Sequence, residues 1–296
     1  MGVIKNDRNI MKKAFGLMLL MLASSVNHAL AEIKDVHNIL MHWTYKIEGK
    51  AADTNKTVFG TVFLMAIPVS NSTSQGMPVL VTAAHVLADI QSELATVNMR
   101  SELPDGSYKR RPYEIRIRDT NGVPLWVRHP EVDIAVMRFN VPKDALPSTP
   151  LLDTTFLAGD DVFAERDIHP GDELMCLGFP LSLESNEAGF PILRSGRIAS
   201  YPVHPSRLAK SFYYDIAVYG GNSGGPVFFE YKNRRIPGEP FTKTVDVSAV
   251  AGIVIQDVSQ IINIEGYFES VKRRDPLGLA LVVPSEFIKQ ALELLK

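Results

Sequence analysis

Beyond Glu32 the chain is a succession of short apolar or alternating runs separated by turn residues, which is the pattern of an all-β sandwich or barrel. Strands are predicted over Val58–Ile67, Val79–Thr82, Tyr113–Arg118, Leu125–His129, Ile134–Phe139, Leu174–Phe179, Ile192–Ile198, Phe212–Val218, Pro226–Tyr231, Val245–Gln256 and Gly278–Val283. Only two stretches carry helical spacing. One is Ala83–Leu94; the other is Pro284–Leu295, where Pro284 and Ser285 open the helix and Phe287, Ile288, Ala291 and Leu294 recur on one face. Ser101–Ser107, Asp153–Asp161, Tyr231–Thr244 and Asp257–Pro276 are polar, carry turn residues and read as surface loops. No repeat of fixed period, low-complexity tract or linker sets off a second module after residue 32.

The first thirty-one residues follow a different rule. Lys5, Arg8, Lys12 and Lys13 precede an apolar run from Ala14 to Ala23, and small and polar residues then lead to Ala29-Leu30-Ala31. A basic start, a short apolar stretch and an A-x-A ending are the parts of a secretory signal peptide, with cleavage expected after Ala31. The apolar run is far shorter than the ~20 residues that span a bilayer, so no stable membrane anchor is expected. The expected mature chain is residues 32–296, exported to the periplasm or the extracellular space of a bacterium.

Composition then excludes several classes. The 296 residues have a formal net charge of −2, and loss of the leader would shift it to −5. A nucleic-acid partner, which calls for a strongly basic face, is not expected. The single cysteine forbids an intrachain disulfide and any zinc site built on several thiolates. Nothing matches H-E-x-x-H or a phosphate-binding loop, and neither a metal nor a cofactor is expected.

Three segments carry candidate chemistry: Val81-Thr82-Ala83-Ala84-His85, Val132-Asp133-Ile134-Ala135-Val136 and Gly221-Asn222-Ser223-Gly224-Gly225-Pro226. Glycines beside Ser223 permit a sharp turn and leave backbone N–H groups able to face a negative oxygen. A serine hydroxyl becomes a good nucleophile when a base takes its proton, and an imidazole does so best when a carboxylate fixes its tautomer. His85 and Asp133 are the partners on offer. Singly, each has a plainer reading: a tight glycine loop, a structural histidine, a strand-end acid. Their order and conjunction favour chemistry.

On these motifs the chain resembles the trypsin-fold (chymotrypsin-like) serine peptidases, most closely the bacterial HtrA-type peptidase domain, without a PDZ module. Gly171-Asp172-Glu173 with Leu177-Gly178-Phe179-Pro180, Ser195-Gly196-Arg197-Ile198-Ala199-Ser200, Gly252-Ile253-Val254 and the stretch from Gly278 to Ile288 also resemble strands of that family. The resemblance implies two six-stranded antiparallel β-barrels with a C-terminal helix and a subdomain boundary near 145–160. It implies a serine endopeptidase acting on peptides or proteins, with His85, Asp133 and Ser223 as the catalytic triad and the N–H groups of Gly221 and Ser223 as the oxyanion hole. The specificity pocket falls on Ala217 and Val218 at the base and on Ile255, Gln256 and Asp257 along the wall. With no acid at the base, a small to medium apolar side chain is expected there rather than Lys or Arg.

Departures from the pattern limit what carries over. Asn222 stands where the digestive enzymes have an aspartate that pairs with a new N-terminus, and Val86 replaces the cysteine after their histidine. Tyr219-Gly220 replaces the Asn-Pro usual in HtrA-type domains. Two other nucleophile readings fail. Gly221-x-Ser223-x-Gly225 also fits the α/β-hydrolase elbow, but that fold needs a histidine after the serine and the last one here is His204. Cys176 lies in an apolar strand and reads as a buried, inert thiol. A non-enzymatic alternative is a secreted pseudo-peptidase that binds a protein ligand on the barrel surface. The oligomeric state is left open.

Overall fold

The computed structural model describes residues 35–53, 55–68, 76–240, 242–265 and 270–295. The expected leader over residues 1–31 lies outside them. The elements in chain order are α1 (Val36–Trp43), β1 (Thr44–Lys50), β2 (Thr57–Ile67), β3 (Met77–Thr82), α2 (Ala84–Asp89), β4 (Leu94–Glu102), β5 (Tyr108–Arg116), β6 (Val127–Arg128) and β7 (Ala135–Arg138), followed by α3 (Asp160–Glu165), β8 (Glu173–Gly178), β9 (Ile192–Ile198), β10 (Phe212–Asp215), β11 (Pro226–Arg235), β12 (Thr244–Glu265), β13 (Ser270–Pro284) and α4 (Glu286–Glu293). Among the described residues no helix is long and apolar enough to cross a membrane.

The strands form two antiparallel groups in sequence order. The C-terminal six close into a barrel, β10-β13-β12-β11-β8-β9. Its core is filled by alternate residues of those strands, among them Leu174, Cys176, Phe212, Tyr214, Val227, Phe229, Ala280 and Val282. The N-terminal strands form a seven-stranded sheet, β5-β4-β1-β2-β3-β7-β6, whose end strands are not joined by a ladder. The expected closed six-stranded barrel is therefore realised in the second half, and the first half is a larger, open version. The two edges account for this. β6 has only two residues, and β5 (YKRRPYEIR) is charged, largely exposed and carries Pro112, all features that discourage further pairing.

Several boundaries differ from expectation, each for a local reason. The predicted helix Ala83–Leu94 shortens to α2, because Leu94 begins β4. α1 buries Val36, Ile39, Leu40 and Trp43, the i, i+3, i+4, i+7 face of a helix, and runs directly into β1. The predicted loop Asp257–Pro276 is strand over most of its length. β12 and β13 pair from Gly252↔Pro284 out to Glu265↔Ser270, with irregularities at Val254/Gln256 and Val258/Ser259, so that a two-stranded arm extends beyond the last residues that β11 pairs. α4 forms as predicted and buries Phe287, Ile288 and Ala291.

Candidate active site

β3 is apolar and buried at its end, and it delivers the chain through Thr82 and Ala83 to His85 in the first turn of α2. Asp133 stands two residues before β7, which pairs with β3 through Thr82↔Ala135. The pairing brings the two side chains together. His85 Nδ1 and Asp133 Oδ2 are 2.5 Å apart, and the His85 backbone N–H donates to Asp133 Oδ1 at 2.9 Å. Burial lowers the affinity of His85 for a proton, but its hydrogen bond to Asp133 and that carboxylate's charge outweigh burial, and the net pKa is raised. For Asp133, burial raises the pKa and the bonds to His85 outweigh it, so the carboxyl is held below the usual range. The imidazole is thus fixed with Nδ1 toward the carboxylate and Nε2 free for chemistry.

The turn before Asp133 is built on His129, which is buried. Its Nδ1 accepts from the N–H groups of Glu131 (3.1 Å) and Val132 (3.3 Å), which leaves Nε2–H to donate to Gln290 Oε1 of α4 at 3.1 Å. Phe287 packs edge-on against the same ring at 5.2 Å. His129 therefore shapes this turn, as its place in His129-Pro130 suggests.

Ser223 sits in a loop that only glycine permits. Gly221 and Gly224 have φ of +100° and +87°. A Cβ on Gly221 would come within 2.1 Å of the Phe179 carbonyl, and one on Gly224 within 2.1 Å of both Thr61 O and Thr82 Oγ1. The loop is thus wedged between β2, β3 and the end of β8. Thr61 holds it from the N-terminal sheet: its N–H donates to Ser223 O at 2.9 Å and its hydroxyl to Gly221 O at 2.6 Å. From the barrel, Gly224 N–H donates to Val254 O at 2.7 Å and Val254 N–H to Gly225 O at 3.0 Å. Gly60 separates the Ser223 backbone from the residue after His85: a Cβ there would lie 2.6 Å from Val86 and 3.3 Å from Ser223 O. The Ser223 hydroxyl itself donates to Ile255 O in a long bond of 3.4 Å, and no hydrogen bond joins it to His85.

The N–H groups of Asn222, Gly224 and Gly225 all donate to backbone carbonyls. Among the described residues those of Gly221 and Ser223 donate to none. The Gly220 carbonyl accepts from Leu181 N–H at 2.7 Å, and because a trans peptide sets its C=O and N–H on opposite sides, the Gly221 N–H is turned away from Leu181. Two such N–H groups without a protein acceptor are able to hydrogen-bond a negatively charged oxygen.

The expected pocket residues are more scattered. Ala217 is partly exposed and its carbonyl accepts from Arg194 Nη1. Val218 belongs instead to the barrel core, because its side chain packs inward with Ile216 and Tyr214. Ile255 lies at the irregularity in the β12–β13 ladder, next to Ser223. Gln256 is exposed, and Asp257 is paired with Arg274 of the arm at 3.1 Å, a partner hidden while the arm is read as loop. Sequence reading also missed Thr61, Leu181 and Arg194. A threonine in an apolar strand is the one signal that pointed to the first. Cys176 is buried, and burial pushes its thiol up to about 12, as expected of an inert group.

Residues 64–234, more than half of the chain and including His85, Asp133 and Ser223, match the family model described as trypsin-like peptidase domain. Among solved structures the chain is similar to the Rv3671c protease from M. tuberculosis in its active form, with 18% identity, a TM-score of 0.42, and coverage of 88% of this chain and 83% of that one. No curated protein sequence matches. By its family match the chain belongs to the trypsin-like peptidases.

Proposed function

We propose that this chain is an exported serine endopeptidase that cleaves peptide bonds through an acyl-enzyme on Ser223. The observation that carries the reading is the doubly bonded His85–Asp133 pair beside a serine in a glycine-rich loop, where the N–H groups of Ser223 and Gly221 have no acceptor among the described residues. Ser223 Oγ attacks the scissile carbonyl as its proton passes to His85 Nε2. The N–H groups of Gly221 and Ser223 stabilise the tetrahedral oxyanion. The C–N bond breaks as His85 returns the proton to the leaving amine, and water, activated by the same imidazole, then hydrolyses the ester. Asp133 keeps the imidazole oriented and stabilises its cation. The mechanism requires the Ser223 hydroxyl to give up its weak Ile255 acceptor for His85, and catalytic bonds that are long or poorly aligned in free enzymes commonly tighten on binding substrate. Ala217 and Ile255 bias the pocket toward a small to medium apolar side chain.

The experiment is fluorophosphonate labelling and hydrolysis of fluorescently labelled casein, with Ser223→Ala as control. Labelling and cleavage that both vanish in the variant support the reading; cleavage at full rate without Ser223 overturns it. A second reading, a binding module of the same fold, is favoured by the one distance that departs from a working triad, Ser223 Oγ to Ile255 O. It predicts a folded protein that is not labelled. Export is supported by the basic, apolar and A-x-A pattern of residues 1–31, and an exported chain whose N-terminal residue is Glu32 is the expected result of terminal sequencing.

A further inference from the structure

Building on that reading, we propose that the ion cluster of the buried Lys46 and Glu184 with the partly exposed Arg110 is a positioning device for the oxyanion hole, acting through Leu181. The segment after Phe179 takes two successive left-handed residues, Leu181 (φ +52°) and Ser182 (φ +63°), a conformation that side-chain-bearing residues adopt only where their surroundings impose it. That conformation aims Leu181 N–H at the Gly220 carbonyl. The carbonyl in turn fixes which way the Gly220–Gly221 peptide faces.

Ser182 N–H to Phe179 O and Leu183 N–H to Pro180 O close the turn locally, and the other sheet adds a side-chain constraint. Lys46, in β1, has its Nζ 3.2 Å from Ser182 Oγ and 3.0 Å from Glu184 Oε1. Arg110, in β5, bonds the other carboxylate oxygen of Glu184. The Lys46 and Glu184 side chains are each only 10% exposed, so the contact is a desolvated pair and not a surface ion pair that solvent would screen. Glu48 lies 3.8 Å from the same ammonium and is the remaining acid near it. The register gives the cluster its reach. Lys46 is paired across the ladder with Thr61, the residue that holds Gly221 O and Ser223 O. One cross-strand pair therefore grips the catalytic loop twice, directly through Thr61 and through Leu181 by way of Lys46. With the cluster dismantled, Ser182 and Leu181 are released from the left-handed region. The Gly220 carbonyl then loses its donor, and its peptide is free to rotate and withdraw the Gly221 N–H.

The test uses the full chain with Glu184→Gln and with the charge-balanced double variant Lys46→Met/Glu184→Met, which leaves no unpaired buried charge. The readouts are the rate of fluorophosphonate labelling of Ser223, kcat and KM on labelled casein, and the downfield proton signal of His85 Nδ1–H. Loss of one oxyanion donor predicts a fall of about 10²-fold in labelling rate and kcat, with KM within about twofold and the His85 signal retained. Wild-type labelling rate in the double variant overturns the proposal, as does a loss of rate accompanied by loss of the His85 signal, which marks general damage to the site. If either variant fails to fold, Ser182→Ala removes only the Lys46 contact, and an unchanged rate there overturns the proposal equally. Failure of the parent reading is distinguishable, because wild-type protein would then show no Ser223-dependent labelling at all.

Discussion

At the scale of single residues, the His85–Asp133 pair is set by opposing effects whose signs can be separated. For His85, burial alone lowers the proton affinity, and Asp133 raises it by more. The proposed mechanism needs the neutral imidazole, so kcat/KM should rise with pH along a limb whose midpoint lies above the ordinary histidine value of about 6.5. Asp133→Asn should lower kcat about 10⁴-fold and move that limb to lower pH, since burial is then opposed only by the smaller effect of the Asp89 charge; a pH profile of labelling rate checks both. The same pair contributes to stability. The His85 share is present below about pH 6.5 and is lost as pH rises through its raised folded pKa; the Asp133 share is present above about pH 3.9 and is lost as pH falls through its lowered folded pKa. Gly224 sets a steric limit. Gly224→Ala adds a Cβ against Thr61 O and Thr82 Oγ1 at a positive φ, and should cost on the order of 4 kcal/mol in chemical denaturation.

At the scale of elements, the legible parts were those whose sequence obeys one rule at a time. β2 and β3 are nearly continuous apolar runs, α4 has clean helical spacing, and the glycines around Ser223 mark a turn that no other residue type can make. His85 and Asp133 became legible because each adjoins such a strand. What escaped were elements with mixed signals. β4 (LATVNMRSE) buries Asn98 and Arg100, polar groups held by hydrogen bonds, so its alternation is masked. α1 and β1 abut without a breaker. The arm of β12 and β13 buries little beyond the barrel, and a ribbon without a buried face has no reason to alternate. The contact of α4 with the Asp133 turn was also invisible, since it joins Gln290 to His129 across the fold. His129→Leu strips the acceptor from two N–H groups and should cost about 2 kcal/mol in urea unfolding, together with a loss of kcat.

At the scale of the whole molecule, the Ser223 loop is fastened by two sheets at once: Thr61 on one side, Val254 on the other. Disulfides play no part in this, and the lone thiol, Cys176, is sealed in the barrel core. Its alkylation should therefore report barrel opening. In iodoacetamide the native protein should react far more slowly than a model thiol, with a rate that rises with urea along the unfolding transition; fast labelling in buffer would contradict the buried placement.

The arm has a consequence for solvent exchange. Beyond Val254, β12 is paired with β13 alone, so its other edge carries backbone groups without a strand to receive them. In an antiparallel ribbon successive N–H groups point to opposite edges. Deuterium uptake along Val258–Glu265 should accordingly show a period of two, slow at amides facing β13 and fast at those between them. The barrel portion, Ala249–Ile253, should be protected at every residue.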